Sequence, residues 1–187
     1  MTTRWSCDPR WAFFGGYGES TAMIASKYEC TGDRYFDIYF APPMIAHQSP
    51  WEKRGDFLFG FSTSYNDPLS GYLVHLAGEC NRWSRLYKNG VLVASHDKYT
   101  LPQDTFEWDV EPVHKWYHVR FEVIGSVVRF MLDDNELFSF DDPEPIKTGR
   151  AVVGAIANGI LIARSRIYGA QLNAASRVLS PASASGA

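Results

Sequence analysis

The amino-acid sequence predicts an all-β fold, an antiparallel sandwich or barrel, on three observations. Apolar and polar residues alternate with a period of two along most of the chain, as in Phe36, Ile38 and Phe40, which share one face of a strand. Turn signals such as Asn89-Gly90 separate these short runs. No segment keeps a helical period over three turns, so the sequence predicts strands throughout.

The same alternation predicts the individual strands in chain order. They cover residues 34–40, 56–62, 71–76, 82–88, 91–94, 116–123, 127–132, 137–140, 151–156 and 160–168. Tight turns are predicted at Asn89-Gly90, Gly125-Ser126 and Asp133-Asp134-Asn135. The last two strands are expected to form a hairpin around Asn158-Gly159. Residues 42–54 and 96–114 contain prolines and are predicted to be loops at the rim.

Composition and charge narrow the class of protein. The chain has 187 residues, of which 45% are hydrophobic and 21% charged, values typical of one globular domain. Its net charge is −3 and its basic residues are dispersed, which argues against nucleic acid and membrane surfaces as partners. We expect one β-sandwich domain over residues 1–170 and a tail rich in small residues over 171–187.

Targeting and cysteine patterns point to the cytoplasm. The first residues lack the features of a secretory signal, and the longest apolar stretch, residues 151–163, is too short to span a bilayer as a helix. Cys7, Cys30 and Cys80 are an odd number at wide spacing, which fits neither a disulfide framework nor a zinc site. Each is expected to be a buried thiol.

The stretch that begins at Trp116 has a recognisable pattern. Trp116 and Val119 open a strand, a glycine turn follows, and Val128, Phe130 and Asp133 keep the spacing V-x-F-x-x-D. This run resembles concanavalin A-like lectin/glucanase sandwiches, including laminin-G-like modules and the YesU-like and 3-keto-glycoside hydrolase-like bacterial domains. The resemblance covers roughly residues 10–170. It implies a two-sheet antiparallel jelly roll whose concave sheet binds carbohydrate.

Aromatic and polar residues on the predicted strands suit such a ligand. Sugars need flat rings that stack on their C–H faces and planar polar groups that reach their hydroxyls. The candidate substrate-binding residues are Asp37, Tyr39, Tyr72, Asn81, Trp83 and Arg85. Trp83, Arg85 and Tyr87 share one face of their strand and are interpreted as a ligand platform. The alternative is that the two rings are packed and that Arg85 covers an edge.

Two groups of residues are candidates for catalysis. Residues 107–111 have the E-x-D-x-E spacing of retaining glucanases that share this fold, which implies Glu107 and Glu111 as nucleophile and acid/base. The alternative is an acidic connecting loop, because Pro112 follows at once. His75 is the second candidate, as a general acid or base, because imidazole titrates near neutrality. A structural histidine is the alternative there.

The sequence therefore predicts a carbohydrate-active protein that binds an oligosaccharide or glycoside and cleaves its glycosidic bond as a hydrolase or lyase. A non-catalytic carbohydrate-binding module is the alternative, and a sandwich subunit that packs on a partner chain is the third. No cofactor is expected. Calcium stays an alternative, since sandwiches of this kind often carry an oxygen-lined site, but Asp133-Asp134-Asn135 is better explained as a turn. His114 and His118 are weak candidates for a metal.

Overall fold

The computed structural model describes residues 3–6, 13–18, 20–42, 55–64, 67, 69–98, 100–101, 103–106, 109–112 and 116–174. Within these ranges the chain forms fifteen strands. In chain order they are β1 (Thr3–Ser6), β2 (Phe13–Gly18), β3 (Thr21–Ala25), β4 (Tyr28–Ala41), β5 (Phe57–Ser62), β6 (Tyr72–Ala77), β7 (Trp83–Lys88), β8 (Val91–His96), β9 (Gln103–Phe106), β10 (Asp109–Pro112), β11 (Tyr117–Ile124), β12 (Val127–Leu132), β13 (Asn135–Asp141), β14 (Thr148–Ile156) and β15 (Gly159–Ala174).

Thirteen of the described strands form two antiparallel sheets. The six-stranded sheet has the order β3-β14-β5-β6-β7-β8, and the seven-stranded sheet has the order β1-β2-β15-β4-β11-β12-β13. Strand β14 links them, because Thr148 and Gly149 pair with β4 whereas residues 150–155 pair with β5. The predicted all-β, two-sheet antiparallel sandwich is confirmed.

The inner faces of the two sheets share a core rich in phenylalanine. Phe57, Phe59 and Phe61 of β5 lie opposite Phe36 and Phe40 of β4, and all five are buried. The Phe36 and Phe61 ring centroids are 5.3 Å apart, and those of Phe40 and Phe59 are 5.0 Å apart. Burying each ring contributes about 1.5–3 kcal/mol, so the alternation seen in the sequence places the main stabilising contacts between the sheets.

One charged side chain, Arg34, lies inside this core and is 1% exposed. Its Nη1 donates to the carbonyl of Gly32 at 2.9 Å, and its Nη2 donates to the carbonyl of Ile146 at 2.9 Å. The guanidinium also lies over the ring of Phe61, with Cζ 5.1 Å from the ring centroid. Arg34 therefore links the segment before β14 to the first half of β4 by hydrogen bonds.

Tyr72 points into the core beside Arg34 and is fully buried. Its hydroxyl donates to a carboxylate oxygen of Asp142 and accepts the N–H of Ile146 at 3.0 Å. Burial and then the hydrogen bond to Asp142 raise the pKa of Tyr72 to about 12. Burial raises the pKa of Asp142, but hydrogen bonds from Lys88 and Tyr72 lower it by more, so its pKa lies below the ordinary value.

The last two strands do not form the predicted hairpin. Strand β14 belongs to the six-stranded sheet and β15 to the seven-stranded sheet, so the chain crosses between sheets at residues 157–158. Asn158 is buried there, and its side-chain amide donates to the carbonyl of Gly55 at 2.5 Å. The predicted hairpin turn at Asn158-Gly159 is therefore wrong. The Asn158 side chain bonds to Gly55, and the strands on its two sides belong to different sheets.

The structure corrects two further predictions, the loop at residues 96–114 and the burial of Cys80. The predicted loop 96–114 contains the β9–β10 hairpin, with Asp109 opposite Phe106, so the loop prediction is wrong for these residues. Cys30 is buried as expected, but Cys80 is exposed, so its predicted burial is wrong. Residues 43–54, Cys7 and residues 175–187 lie outside the described residues. The described residues contain no helix that is long and apolar enough to cross a membrane.

The raised pKa of Tyr72 predicts a loss of stability at alkaline pH. Its ordinary pKa is 10.0, so the contribution of the protonated phenol is fully present below about pH 10 and is lost as the pH rises through about 12. Tyr72→Phe should lower the free energy of unfolding near neutral pH by about 1–2 kcal/mol and should remove this part of the alkaline loss. Urea unfolding from neutral to alkaline pH measures both effects.

The exposed Tyr28 provides the matched control. Tyr28→Phe should change neither the free energy of unfolding nor its dependence on pH. An unaltered alkaline slope in Tyr72→Phe would contradict the role given to the Tyr72 hydroxyl.

Candidate functional site

The outer face of the six-stranded sheet carries a cluster of polar and aromatic side chains on β6 and β7. His75 of β6 stands opposite Arg85 of β7, and Arg85 stands opposite Ser95 of β8. Trp83 lies two residues before Arg85 and faces the same side. With Asp56, which precedes β5, these residues are called the His75–Arg85 cluster: Asp56, His75, Trp83 and Arg85.

The members of the cluster are in direct contact. His75 Nε2 is 2.8 Å from Asp56 Oδ1. The His75 ring meets the Trp83 ring edge-on, with centroids 4.7 Å apart and an angle of 76° between the planes. Arg85 Cζ lies 4.0 Å from the centroid of the Trp83 ring, a cation–π contact that strengthens as water is excluded. The indole thus holds both the imidazole and the guanidinium in place.

The guanidinium of Arg85 has no hydrogen-bond acceptor in the described part of the chain. Its Nε is buried and makes no hydrogen bond to any described residue. Among the described residues, no carboxylate forms an ion pair with it either. The two Nη atoms are not buried and form no hydrogen bond with a described residue, so these are the donors that a ligand can reach. Arg85 is therefore the group on this face best prepared to bind a polar ligand.

The turn between β6 and β7 sets the position of Trp83. Glu79, Cys80 and Asn81 have φ of 50°, 62° and 67°, which makes this a left-handed turn and not a helical one. Such conformations cost roughly 1–2 kcal/mol per residue outside glycine. Asn81 offsets part of this cost, because its Nδ2 donates to the carbonyl of Leu101 at 2.8 Å and its Oδ1 accepts the Leu101 N–H at 3.0 Å. Buried Asn81 thus holds the turn and is not available to a ligand.

The neighbouring half of the same face is filled by the protein's own apolar side chains. Leu58, Leu73 and Val152 form a second hydrophobic cluster there and are buried, with Met23 and Ile156 packed against them. A saccharide would find no free surface at these three residues. The site on this sheet is therefore restricted to the strands β6 to β8.

The candidate residues Asp37 and Tyr39 lie on the outer face of the other sheet. Arg120 of β11 holds Asp37 with two hydrogen bonds, from Nε to Oδ1 at 2.6 Å and from Nη2 to Oδ2 at 3.0 Å. His118 Nε2 is 3.4 Å from Asp37, and the His118 ring stacks on Tyr39 with centroids 4.9 Å apart. Burial raises the pKa of Asp37, but Arg120 and His118 lower it by more, so it lies below the ordinary value.

The structure therefore brings together His75, Trp83 and Arg85 and separates the other candidates from them. Asp37 and Tyr39 lie across the sandwich, Tyr72 points into the core and Asn81 holds a turn. Asp56 was not singled out in the sequence. In the strand register Leu58, and not Asp56, lies opposite His75. No local sequence pattern therefore connects Asp56 with His75.

Only one of the two glutamates of the E-x-D-x-E segment, Glu111, is among the described residues. Glu111 lies in β10 opposite Asp104 of β9, and Glu107 lies outside the described residues. Their catalytic role stays a prediction.

The turn at residues 133–135 fits a structural role better than a calcium site. Asp133 Oδ1 accepts the N–H of His118 at 2.8 Å, and Asn135 Nδ2 donates to the carbonyl of Asp133 at 2.9 Å. In the described part of the chain, no group of three or more His, Cys, Asp and Glu residues could hold a metal ion. His114 lies outside the described residues, and calcium binding stays a prediction.

Solved structures with a similar fold include carbohydrate-binding proteins. The carbohydrate-binding module CBM66 from Bacillus subtilis is 16% identical, with a TM-score of 0.65, and the match covers 90% of this chain and 92% of that one. A Bacillus subtilis protein of unknown function with a galectin-like fold is 13% identical, with a TM-score of 0.60 and coverage of 88% and 86%. The exoplasmic/lumenal domain of VIP36, in its Ca2+/Man-bound form, is 8% identical, with a TM-score of 0.56 and coverage of 86% and 75%.

No protein-family model matches the chain, and no curated protein does. The structural matches show the fold alone: a two-sheet β-sandwich like those of CBM66 and the galectin-like protein, consistent with the concanavalin A-like sandwich that the resemblance implied.

The close packing of Trp83 on Gly78 gives a test of the geometry of the cluster. A Cβ atom at Gly78 would lie 2.4 Å from carbons of the Trp83 ring, so Gly78→Ala must displace the indole and the guanidinium stacked on it. We expect a changed near-ultraviolet circular dichroism spectrum with the far-ultraviolet spectrum retained. Gly125→Ala in the β11–β12 turn is the control: a Cβ there meets no atom within 4 Å, but the φ of +59° makes alanine strained. A spectral change caused by backbone strain alone would therefore appear in this variant too. Identical near-ultraviolet spectra for Gly78→Ala and the wild type would contradict this packing.

Proposed function

We propose that the protein binds carbohydrate through the His75–Arg85 cluster on the outer face of the six-stranded sheet. The observation that carries the proposal is the guanidinium of Arg85, which stacks on Trp83 and forms no hydrogen bond or ion pair with a described residue. A sandwich fold shared with a carbohydrate-binding module supports a saccharide as the ligand.

The cluster offers the groups that a saccharide needs. Arg85 supplies planar donors for ring and hydroxyl oxygens. His75 is held through Nε2 by the Asp56 carboxylate, so in the neutral imidazole Nε2 carries the proton and Nδ1 accepts from a sugar hydroxyl. Trp83 provides an aromatic surface beside both groups, against which the C–H face of a sugar ring can pack.

The outer face of the seven-stranded sheet is less suited to this task. Its candidate carboxylate, Asp37, already has both oxygens engaged by Arg120. Tyr35 stacks on Tyr168 with ring centroids 4.4 Å apart, so each ring already has an aromatic neighbour. A ligand on this face would have to compete with these contacts, whereas Arg85 has no hydrogen bond or ion pair with a described residue to give up.

Substitutions on the two faces test which of them binds. In a panel of neutral and acidic oligosaccharides measured by isothermal titration calorimetry, Trp83→Ala should weaken binding of the preferred saccharide by about 10-fold or more, because aromatic anchors carry much of the affinity. The half-exposed aromatic Tyr168 on the opposite sheet is the matched control, and Tyr168→Ala should leave affinity unchanged. The reverse pattern would move the site to the seven-stranded sheet, and a panel without any binding would refute the proposal.

Cleavage of a glycosidic bond is a second candidate function, and one observation favours it. The Asp56–His75 hydrogen bond of 2.8 Å is the arrangement by which a carboxylate orients a histidine general base. The histidine would take a proton from an attacking water or from a sugar carbon, so this function includes hydrolysis and elimination. Glu107 and Glu111 are the alternative pair for this chemistry.

Product release from oligosaccharides and aryl glycosides separates cleavage from binding alone. If His75 catalyses, His75→Gln should abolish product release while saccharide affinity falls by no more than about 10-fold, the loss expected for one hydrogen bond. Glu111→Gln should then retain activity, and loss of activity in Glu111→Gln alone would transfer catalysis to the acidic segment. Saccharide binding without product release would leave the protein as a binding module.

A further inference from the structure

We infer that the saccharide bound at the His75–Arg85 cluster is acidic and that its carboxylate pairs with Arg85. This inference rests on the proposed function and adds the chemical class of the ligand. It follows from the charge state of the site, because the cluster presents a partly buried cation whose counterion is missing among the described residues.

Other partly buried cations of the described chain have partners in the protein. Arg120 forms two hydrogen bonds with Asp37, and Lys88 Nζ lies 2.7 Å from Asp142 Oδ1. The buried Arg34 donates to backbone carbonyls. The Nε of Arg34 is buried without an acceptor, as is that of Arg85. Arg85 differs from all three because none of its nitrogen atoms forms a hydrogen bond or an ion pair with a described residue.

Among the described contacts, the carboxylate within the cluster pairs with His75 and not with Arg85. Asp56 is buried, and its Oδ1 already accepts from His75 Nε2 at 2.8 Å and from the N–H of Glu79 at 3.3 Å. On the other side of Arg85, Ser95 directs its hydroxyl to Asp97 at 2.7 Å. Asp56 and Ser95 thus bond to other residues, and the positive charge of Arg85 is left available on the outer face.

The chemistry of the guanidinium selects a carboxylate over a hydroxyl. Its donors form a planar fork that matches the two oxygens of a carboxylate, and such charge-assisted pairs are roughly twice as strong as neutral hydrogen bonds. Stacking on Trp83 fixes the orientation of the fork before the ligand arrives, which reduces the entropy lost on binding. A uronic acid residue offers a carboxylate on a ring whose C–H face can pack beside the indole.

Paired ligands that differ only at the carboxyl group test this inference. The probes are oligosaccharides of galacturonate, glucuronate and mannuronate, each with its methyl ester, and neutral oligosaccharides of galactose, glucose, mannose and fructose. Affinities are measured by isothermal titration calorimetry at two salt concentrations. We expect one uronate series to bind at least about 10-fold more tightly than its methyl ester, with affinity falling as salt increases.

Three variants assign that preference to Arg85. Arg85→Gln should reduce the ratio between acid and ester to about one, and Arg85→Lys should keep only part of it, since lysine retains the charge but not the fork. Arg129 is the matched control, because it is a half-exposed cation on the opposite sheet, 3.7 Å from Glu122. Arg129→Gln removes the same charge and should leave the ratio as in the wild type.

Each remaining outcome contradicts the inference in a distinguishable way. Equal binding of acid and ester, or binding of neutral oligosaccharides alone, would overturn the acidic ligand while leaving carbohydrate binding intact. A preference for acid that survives Arg85→Gln would place the carboxylate elsewhere and overturn the assignment to Arg85. Absence of binding to every probe would refute the proposed function together with the inference.

Discussion

The layer of phenylalanine rings between the two sheets is the constraint on which the rest of the structure depends. A slip of one residue in any strand would turn its ring side chains from the core to the solvent, so the layer fixes the register. Val74 and Leu86 are fully buried on the inner face. Their neighbours His75 and Arg85 must therefore point outward, and strand pairing places them opposite each other. The core thus positions the polar residues of the site.

The two outer faces satisfy their charged groups differently. On the seven-stranded sheet, Arg120 and Asp37 neutralise each other, and Arg129 lies between Glu122 and Glu136 at 3.7 and 3.8 Å. On the six-stranded sheet, the protein's own side chains fill the apolar part, and none of the described residues provides an acceptor for Arg85. An internally paired surface gains little from a polar ligand, whereas an unpaired cation held by an aromatic ring gains an acceptor. This asymmetry is the reason to assign binding to the six-stranded sheet.

Local alternation predicted β4 to β8, β11 to β15 and the face shared by Trp83 and Arg85, because side-chain direction in a strand depends only on neighbouring residues. It missed β1 to β3, β9 and β10. It could not predict contacts made across the fold. Tyr72 looked like a ligand-binding residue, but its hydroxyl meets Asp142, 70 residues further along the chain. Asn158-Gly159 looked like a hairpin turn, but the Asn158 amide bonds to Gly55, 103 residues away. Contacts between polar residues so far apart in the chain depend on the strand topology, and hydrophobic periodicity does not predict that topology.

The central claim is that the His75–Arg85 cluster binds saccharide, and amide NMR spectroscopy tests it most directly. The labelled protein is titrated with uronate oligosaccharides and with their neutral counterparts, and shifts of backbone and indole N–H signals are mapped onto the fold. The account predicts that the largest shifts fall on β6, on β7 and on the indole N–H of Trp83. Shifts centred on Asp37 and Tyr39 of β4, or no shifts with any saccharide, would contradict it.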